Sequence, residues 1–150
     1  MSEPERPTLT PLWALWEPPE PNRWLCVPLV AAVVLLAVSM RLPWHHHVIP
    51  GAGYTIIYGI DGASWLLVTA GLACGFALRL FREPPGGYVR ALLALLAFLT
   101  VLGFYADYVD TQTRASQLYV DAYFGPGFYV ALAGVAVLVL AAVLAWVLRD

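Results

Sequence analysis

The sequence predicts an all-α integral membrane protein: an antiparallel bundle of four transmembrane helices with both termini cytoplasmic. Three observations carry that expectation. Hydrophobic residues make up 61% of the 150 residues and charged residues only 12%, with a mean hydropathy of +0.73, whereas a soluble domain is roughly a quarter charged. Four apolar stretches approach the length of a membrane span, with Pro, Gly or polar breaks between them. The arginines are spread unevenly over the ends of those stretches. A water-soluble fold of this size has too much surface for its volume to hide so much apolar area. Lipid removes that constraint.

Residues 1–23 form a Pro-rich cytoplasmic tail. Pro18, Pro19 and Pro21 forbid a continuous helix there, and the four glutamates and missing basic start argue against a cleavable signal peptide. Within the tail, Trp13 and Trp16 share a face if a helical turn forms, so this segment either lies on the inner leaflet or docks onto a partner. The transmembrane domain is residues 24–150, with spans at about 24–42, 62–81, 89–108 and 126–148, each near the ~20 residues needed to cross ~30 Å of hydrocarbon.

The first break contains Pro43 and Pro50 around the triplet His45-His46-His47, read as a solvated interfacial loop. Tyr54–Ile60 reads as an interfacial strand or short helix. Asp61 reads as the N-cap of the second helix, its carboxylate accepting bonds from free backbone N–H groups. Pro84-Pro85-Gly86-Gly87 closes the second span, and the polar run Asp110–Gln117 reads as the break before the fourth.

Orientation follows from the arginines, the only basic residues besides histidine. With a cytoplasmic N-terminus, Arg6, Arg23, Arg79, Arg82, Arg90 and Arg149 lie inside, and Arg41 and Arg114 outside. Trp24, Phe81, Tyr88 and Trp146 then mark an inner aromatic belt. Trp44, Trp65, Tyr105, Tyr108, Tyr123 and Tyr129 mark an outer one.

Lipid gives apolar helices no hydrophobic reason to associate, so small residues that permit close approach are the candidate packing positions. These are Gly71 and Gly75 on the second span and Gly127, Ala131 and Gly134 on the fourth. Each serves either packing within the bundle or association with another protein.

Candidates for chemistry lie at the outer rim. His45 and His47 point the same way in an extended segment and are candidate metal ligands. Asp107 and Asp110 share a helical face, and Arg114 stands at ion-pair spacing from Asp110 if the helix persists that far. With Asp61 these form an outer polar cluster that serves either as helix-end ion pairs or as an ion path. Mid-span there is no ionisable residue, the feature that proton-coupled transport and bundle-bound haem require. Cys26 and Cys74 lie apart in apolar runs and suggest no metal or disulfide framework. No nucleophile stands near a base, no phosphate loop is complete, and the arginines form no nucleic-acid patch.

Ser39-Met-Arg-Leu-Pro-Trp44, Gly59-Ile-Asp-Gly-Ala-Ser-Trp65 and Gly125-Pro-Gly-Phe-Tyr-Val-Ala-Leu-Ala-Gly134 resemble the corresponding elements of a broad group of small, largely uncharacterised bacterial four-helix membrane proteins. In that group a Leu-Pro-Trp element ends the first helix and Gly-x-Gly with an aromatic opens the fourth. The histidine triplet departs from its pattern. The resemblance implies the same topology and carries no activity or cofactor. The expected function is a non-enzymatic scaffold or accessory subunit in the bacterial cytoplasmic membrane, with the bilayer and a membrane protein or a second copy as partners. The alternative is a channel or transporter component, or an outer-face pH or metal sensor, using the outer Asp and His residues.

Overall fold

A computed structural model describes residues 23–49, 51, 53–83, 85–118 and 121–148; the expectation of an irregular tail lies outside this range. A 3-10 turn at Arg23–Leu25 leads into α1 (Cys26–Ser39). Two strands follow, β1 (Pro43–Ile49) and β2 (Gly53–Tyr58), then a single helical turn α2 (Gly59–Gly62) and the helix α3 (Trp65–Arg82). The helix α4 (Gly87–Leu118), strand β3 (Asp121–Phe124) and helix α5 (Pro126–Val147) follow. The fold is mainly helical, but it is not all-α.

The core divides into two clusters, and their membership gives the helix directions. One gathers Leu25, Leu29 and Ala32 from the start of α1, Ala77 and Leu80 from the end of α3, Val89 and Leu93 from the start of α4, and Ala141 and Ala145 from the end of α5. The other gathers Leu36 and Met40, Leu66, Phe104 and Phe128 from the opposite ends. Successive long helices therefore alternate in direction, and α1 reaches from one cluster to the other between α3 and α5. Outward, α1 presents Val27, Val30 and Val34, α3 presents Val68 and Leu72, α4 presents Phe98 and Leu102, and α5 presents Leu140 and Val143. Such a surface suits lipid, not water.

Among the described residues, three helices are long and apolar enough to cross a membrane: Trp65–Arg82, Gly87–Ser116 within α4, and Pro126–Val147. The fourth apolar helix, Cys26–Ser39, is shorter. Its 14 residues and the preceding turn give roughly 27 Å of rise. Two buried hydroxyls are satisfied within their own helices, as apolar surroundings demand: Ser39 Oγ donates to Leu36 O at 2.7 Å and Thr100 Oγ1 to Leu96 O at 2.7 Å.

Several sequence expectations change. The run Asp110–Gln117 is no break, because α4 continues through it to Leu118. Its 32 residues span ~48 Å, well beyond a hydrocarbon core of ~30 Å. The run lacks Gly and Pro, and its polar side chains support the helix. Arg114 Nε sits 2.8 Å from Asp110 Oδ2, Thr113 Oγ1 donates to Val109 O, and Ser116 Oγ to Thr113 O. Asp61 does not cap α3: it lies inside α2, and α3 starts after Ser64 with no side-chain cap.

The histidine triplet is no solvated loop. It forms the middle of β1, the central strand of an antiparallel sheet ordered β2-β1-β3. His45 pairs with Ile57 on one side and Phe124 on the other. β-branched and aromatic residues in Gly-Tyr-Thr-Ile-Ile-Tyr suit β2, and Gly51 and Gly53, at φ 81° and 101°, supply the left-handed backbone that turns the hairpin.

Of the two roles expected for Gly71 and Gly75, packing within the bundle is not the one they serve. The buried face of α3 is Leu66, Thr69, Ala70, Ala73, Ala77 and Leu80, and a Cβ on either glycine meets nothing within 4 Å. Among the described residues they pack against no other helix. Gly127, Ala131 and Gly134 are buried in α5, with Leu36 Cδ2 3.0 Å from where a Gly134 Cβ would stand.

Candidate functional site

The site is built at the sheet end of the bundle, and a bulge starts it. Pro43 pairs with Tyr58 but His45 with Ile57, so β1 carries an extra residue at Trp44. A bulge breaks strict alternation and re-aims side chains, and here Trp44 and His45, adjacent in sequence, are 1% and 5% exposed.

Trp44 fastens the sheet to the helices. Its Nε1–H donates to Ser39 O at 2.9 Å, at the end of α1, and its ring meets Phe104 and Phe128 edge-on at 6.0 Å each. Glycines make the room: a Cβ on Gly127 would lie 2.5 Å from Trp44 Cδ1 and 2.8 Å from Leu42 O, and one on Gly59 would overlap the Trp44 ring. Trp44 is thus a buried wedge and not part of an aromatic belt. The other rings assigned to belts are exposed, with Trp24, Phe81, Tyr88 and Trp146 at one end and Tyr105, Tyr108, Tyr123 and Tyr129 at the other; Trp65 is half-buried, against Gly103.

With Trp44 fixed, His45 is held against α4. Its Nε2 stands 3.5 Å from Thr111 Oγ1 and 3.9 Å from Asp107 Oδ2. The second distance is within Coulombic reach but too long for a hydrogen bond. His45 Nδ1 and Asp107 Oδ2 are both buried without a hydrogen-bond partner. Below the imidazole, Phe124 makes an edge contact at 5.4 Å, and Tyr108 stacks on Phe124 at 5.4 Å and 18°, so the C-terminal part of α4 and the sheet share an aromatic seam.

His47 follows on the same side of β1, its ring 6.2 Å from that of His45. Burial, and after it the neighbouring His45, pushes the His47 imidazole below its ordinary value. A Cβ on Gly125 would sit 3.2 Å from His46 Nε2, so His46 faces the start of α5.

These groups border a cavity of about 310 Å³. His45 and His47 come from β1, Ile57 from β2 and Asp61 from α2. Asp107, Asp110, Thr111 and Arg114 come from successive turns of α4. The structure thus joins the two histidines and the whole outer polar cluster, which are up to 69 residues apart in sequence, at one place. Thr111 escaped sequence reading because it lay in the run taken as a loop; its i,i+4 spacing from Asp107 was the available signal.

The metal expectation for His45 and His47 finds no third ligand. Among the described residues no three His, Cys, Asp or Glu side chains converge as a metal site would need. What the arrangement offers is a partly enclosed polar cavity with buried, unused acceptor and imidazole atoms. No protein-family model, curated protein or solved structure matches this chain.

Proposed function

We propose that this chain is a non-enzymatic four-span protein of the bacterial cytoplasmic membrane, both termini cytoplasmic, that acts as a scaffold or accessory subunit. The observation that carries this reading is the chemistry of the bundle interior. Between the two ends the described core is mostly Leu, Ala, Val and Phe, with the hydroxyl of Thr69 and with Ser39 and Thr100 turned back onto their own helices. Such an interior provides packing but no polar route for a substrate or ion.

α1 counts as the fourth span because it traverses the same depth as its neighbours, from the cluster at Leu25 to the one at Met40. The exposed aromatics support the placement. Tyr88 and Tyr105, like Tyr129 and Trp146, are seventeen residues apart in exposed positions, or roughly 25 Å along a helix, close to hydrocarbon thickness. The arginine bias puts the sheet outside. A Cβ at Gly71 or Gly75 on α3 meets nothing within 4 Å, which leaves close approach at these two positions available to a partner helix.

The test is purification from gently solubilised membranes. Defined co-purifying membrane proteins are expected, and migration of the chain alone would sink the reading. Labelling of single cysteines on β2 and after α5 from outside intact cells checks orientation: only the β2 site should react.

A second reading, an outer-face sensor, is favoured by the burial of His45 beside Asp107. The channel form of this alternative gains nothing from the packed interior. Liposome conductance that disappears on replacing Asp61, Asp107, Asp110, His45 and His47 would revive it.

A further inference from the structure

We infer that the groove between α4 and α5 seats an acyl chain of an anionic phospholipid whose phosphate lies on Arg90. The inference rests on the membrane placement proposed above, which puts the start of α4 and the end of α5 at the inner leaflet. Two cavities, of about 460 and 580 Å³, follow one another along these helices and share Val101 and Val139 as lining. Small side chains floor the inner one: Ala97 and Ala142 are 4% and 5% exposed. Phe98 and Trp146, both exposed, stand as its walls. The volume is that of a small-molecule site. A helix, ~10 Å across with its side chains, is too thick for such a slot.

Arg90 supplies an independent observation. It lies four residues before Ala94 and eleven before Val101, on the stripe of α4 that lines the groove. Helical side chains tilt toward the N-terminus, so the guanidinium of Arg90 is carried away from the apolar core toward the inner headgroups. Among the described residues no carboxylate pairs with it, whereas Arg79 has Glu83 at 3.4 Å. Arg90 is half-buried, and of its side-chain nitrogens only Nε is closed off without a partner. The terminal nitrogens stay accessible and unpaired, so the protein leaves this charge for something outside it.

The dimensions select a lipid of the inner leaflet. Eleven residues from Arg90 to Val101 give about 16 Å of rise, and half of a ~30 Å hydrocarbon core is about 15 Å. A phosphate on Arg90 therefore places an acyl chain along the inner cavity as far as Val101. Guanidinium and phosphate form a charge-assisted, two-bond pair. With no carboxylate paired to Arg90, a zwitterionic headgroup has no acid there for its cation, and an anionic lipid is preferred. An apolar partner helix would leave Arg90 unpaired; Gly71 and Gly75 on α3 suit that partner better.

The experiment uses the full chain in phosphatidylcholine bilayers containing a trace of spin-labelled phosphatidylglycerol or spin-labelled phosphatidylcholine. Electron paramagnetic resonance reads the fraction of each label immobilised on the protein. Phosphatidylglycerol should be preferred by about fivefold, the effect of one basic group at an anionic headgroup. Arg90→Gln should bring the preference close to parity. Ala94→Phe fills the inner cavity while keeping every charge, and should do the same; it covers the case in which Arg90→Gln fails to fold. Arg82→Gln, at an exposed position on α3 outside the groove, should leave the preference intact. Equal immobilisation of both lipids overturns the inference, as does a preference that survives Ala94→Phe. A preference that falls equally with Arg82→Gln overturns it in favour of general surface charge. Lipid immobilisation indifferent to both groove variants overturns it in favour of a second copy or another helix in the groove. A chain that immobilises no lipid of either kind refutes the membrane placement itself, which separates that failure from failure of the site alone.

Discussion

Adding one methyl group to each of two glycines should push stability in opposite directions. Gly127 and Gly71 both belong to small-residue patterns on apolar helices. At Gly127 the new Cβ would stand 2.5 Å from Trp44 Cδ1, 2.8 Å from Leu42 O and 2.9 Å from Pro43 O. Two of those atoms are backbone carbonyl oxygens at the start of β1, and the third belongs to a ring held by its bond to Ser39 O. None can give way without moving the sheet. Overpacking in such a place costs about 1–3 kcal/mol or more. Against this stands the helix-propensity gain of Ala over Gly, at most about 1 kcal/mol and less in the first turn, where Gly127 sits. Gly127→Ala should therefore be destabilising by about 1–2 kcal/mol or more.

At Gly71 the methyl group meets nothing within 4 Å. Only the propensity term remains, so Gly71→Ala should be neutral or stabilising by up to about 1 kcal/mol. The assay is the unfolding midpoint of each purified variant in one mild detergent, by tryptophan fluorescence, with the monomer fraction monitored by size exclusion. A Gly127→Ala protein as stable as the parent would show that the wedge around Trp44 is wrong. A Gly71→Ala protein that loses stability while staying monomeric would show that α3 is rotated from the orientation described.

Trp44→Phe should destabilise the chain by roughly 2–4 kcal/mol, combining lost volume with loss of one of the two donors to the Ser39 carbonyl, which keeps Leu42 N–H; acrylamide should quench Trp24, 82% exposed, far more than Trp44, 1% exposed, in single-tryptophan variants. Acidification should loosen the sheet: the His47 pKa is depressed below the ordinary 6.5, so below that value the unfolded chain binds the proton more readily. Its contribution is thus complete above pH 6.5 and lost as pH falls through the lowered value, and His47→Gln should flatten the acid limb of the unfolding midpoint against pH. Arg114→Ala should change stability by no more than about 0.5 kcal/mol, because its pair with Asp110 is solvent-exposed; a larger loss would mean the pair bears on the cavity's shape.

The apolar runs located α3, α4 and α5 well, because hydropathy over some twenty residues is a strong signal. Hydropathy marks where lipid stops, however, and not where a helix stops. The polar turns after Asp107 contain no Gly or Pro to end a helix, and only their polarity led to the expectation of a loop. β1 was hidden for a different reason. A strand shows itself by alternation, and in Pro-Trp-His-His-His-Val-Ile the bulge and three consecutive histidines erase it. Tyr54–Ile60, expected as a strand or short helix, divides into both at Tyr58. The small-residue patterns identified which residues permit close approach, but not which face of α3 would turn inward. Alanines at 70, 73 and 77 took that face and left both glycines outside.

The same physics explains why polar chemistry collected where it did. A bundle held together by small residues and self-satisfied hydroxyls has little tolerance for charge at its centre. Charged and titratable groups can gather only beyond the apolar core, and there a bare helix end would give them no enclosure. The long α4 supplies one wall of polar side chains past that boundary, and the sheet supplies the other, fastened by Trp44 to α1 and α5. Remove the wedge and His45 has no reason to stay buried against Asp107. The strands that hydropathy passes over, fastened by Trp44, are therefore the part of the chain that encloses polar side chains beside the apolar helices.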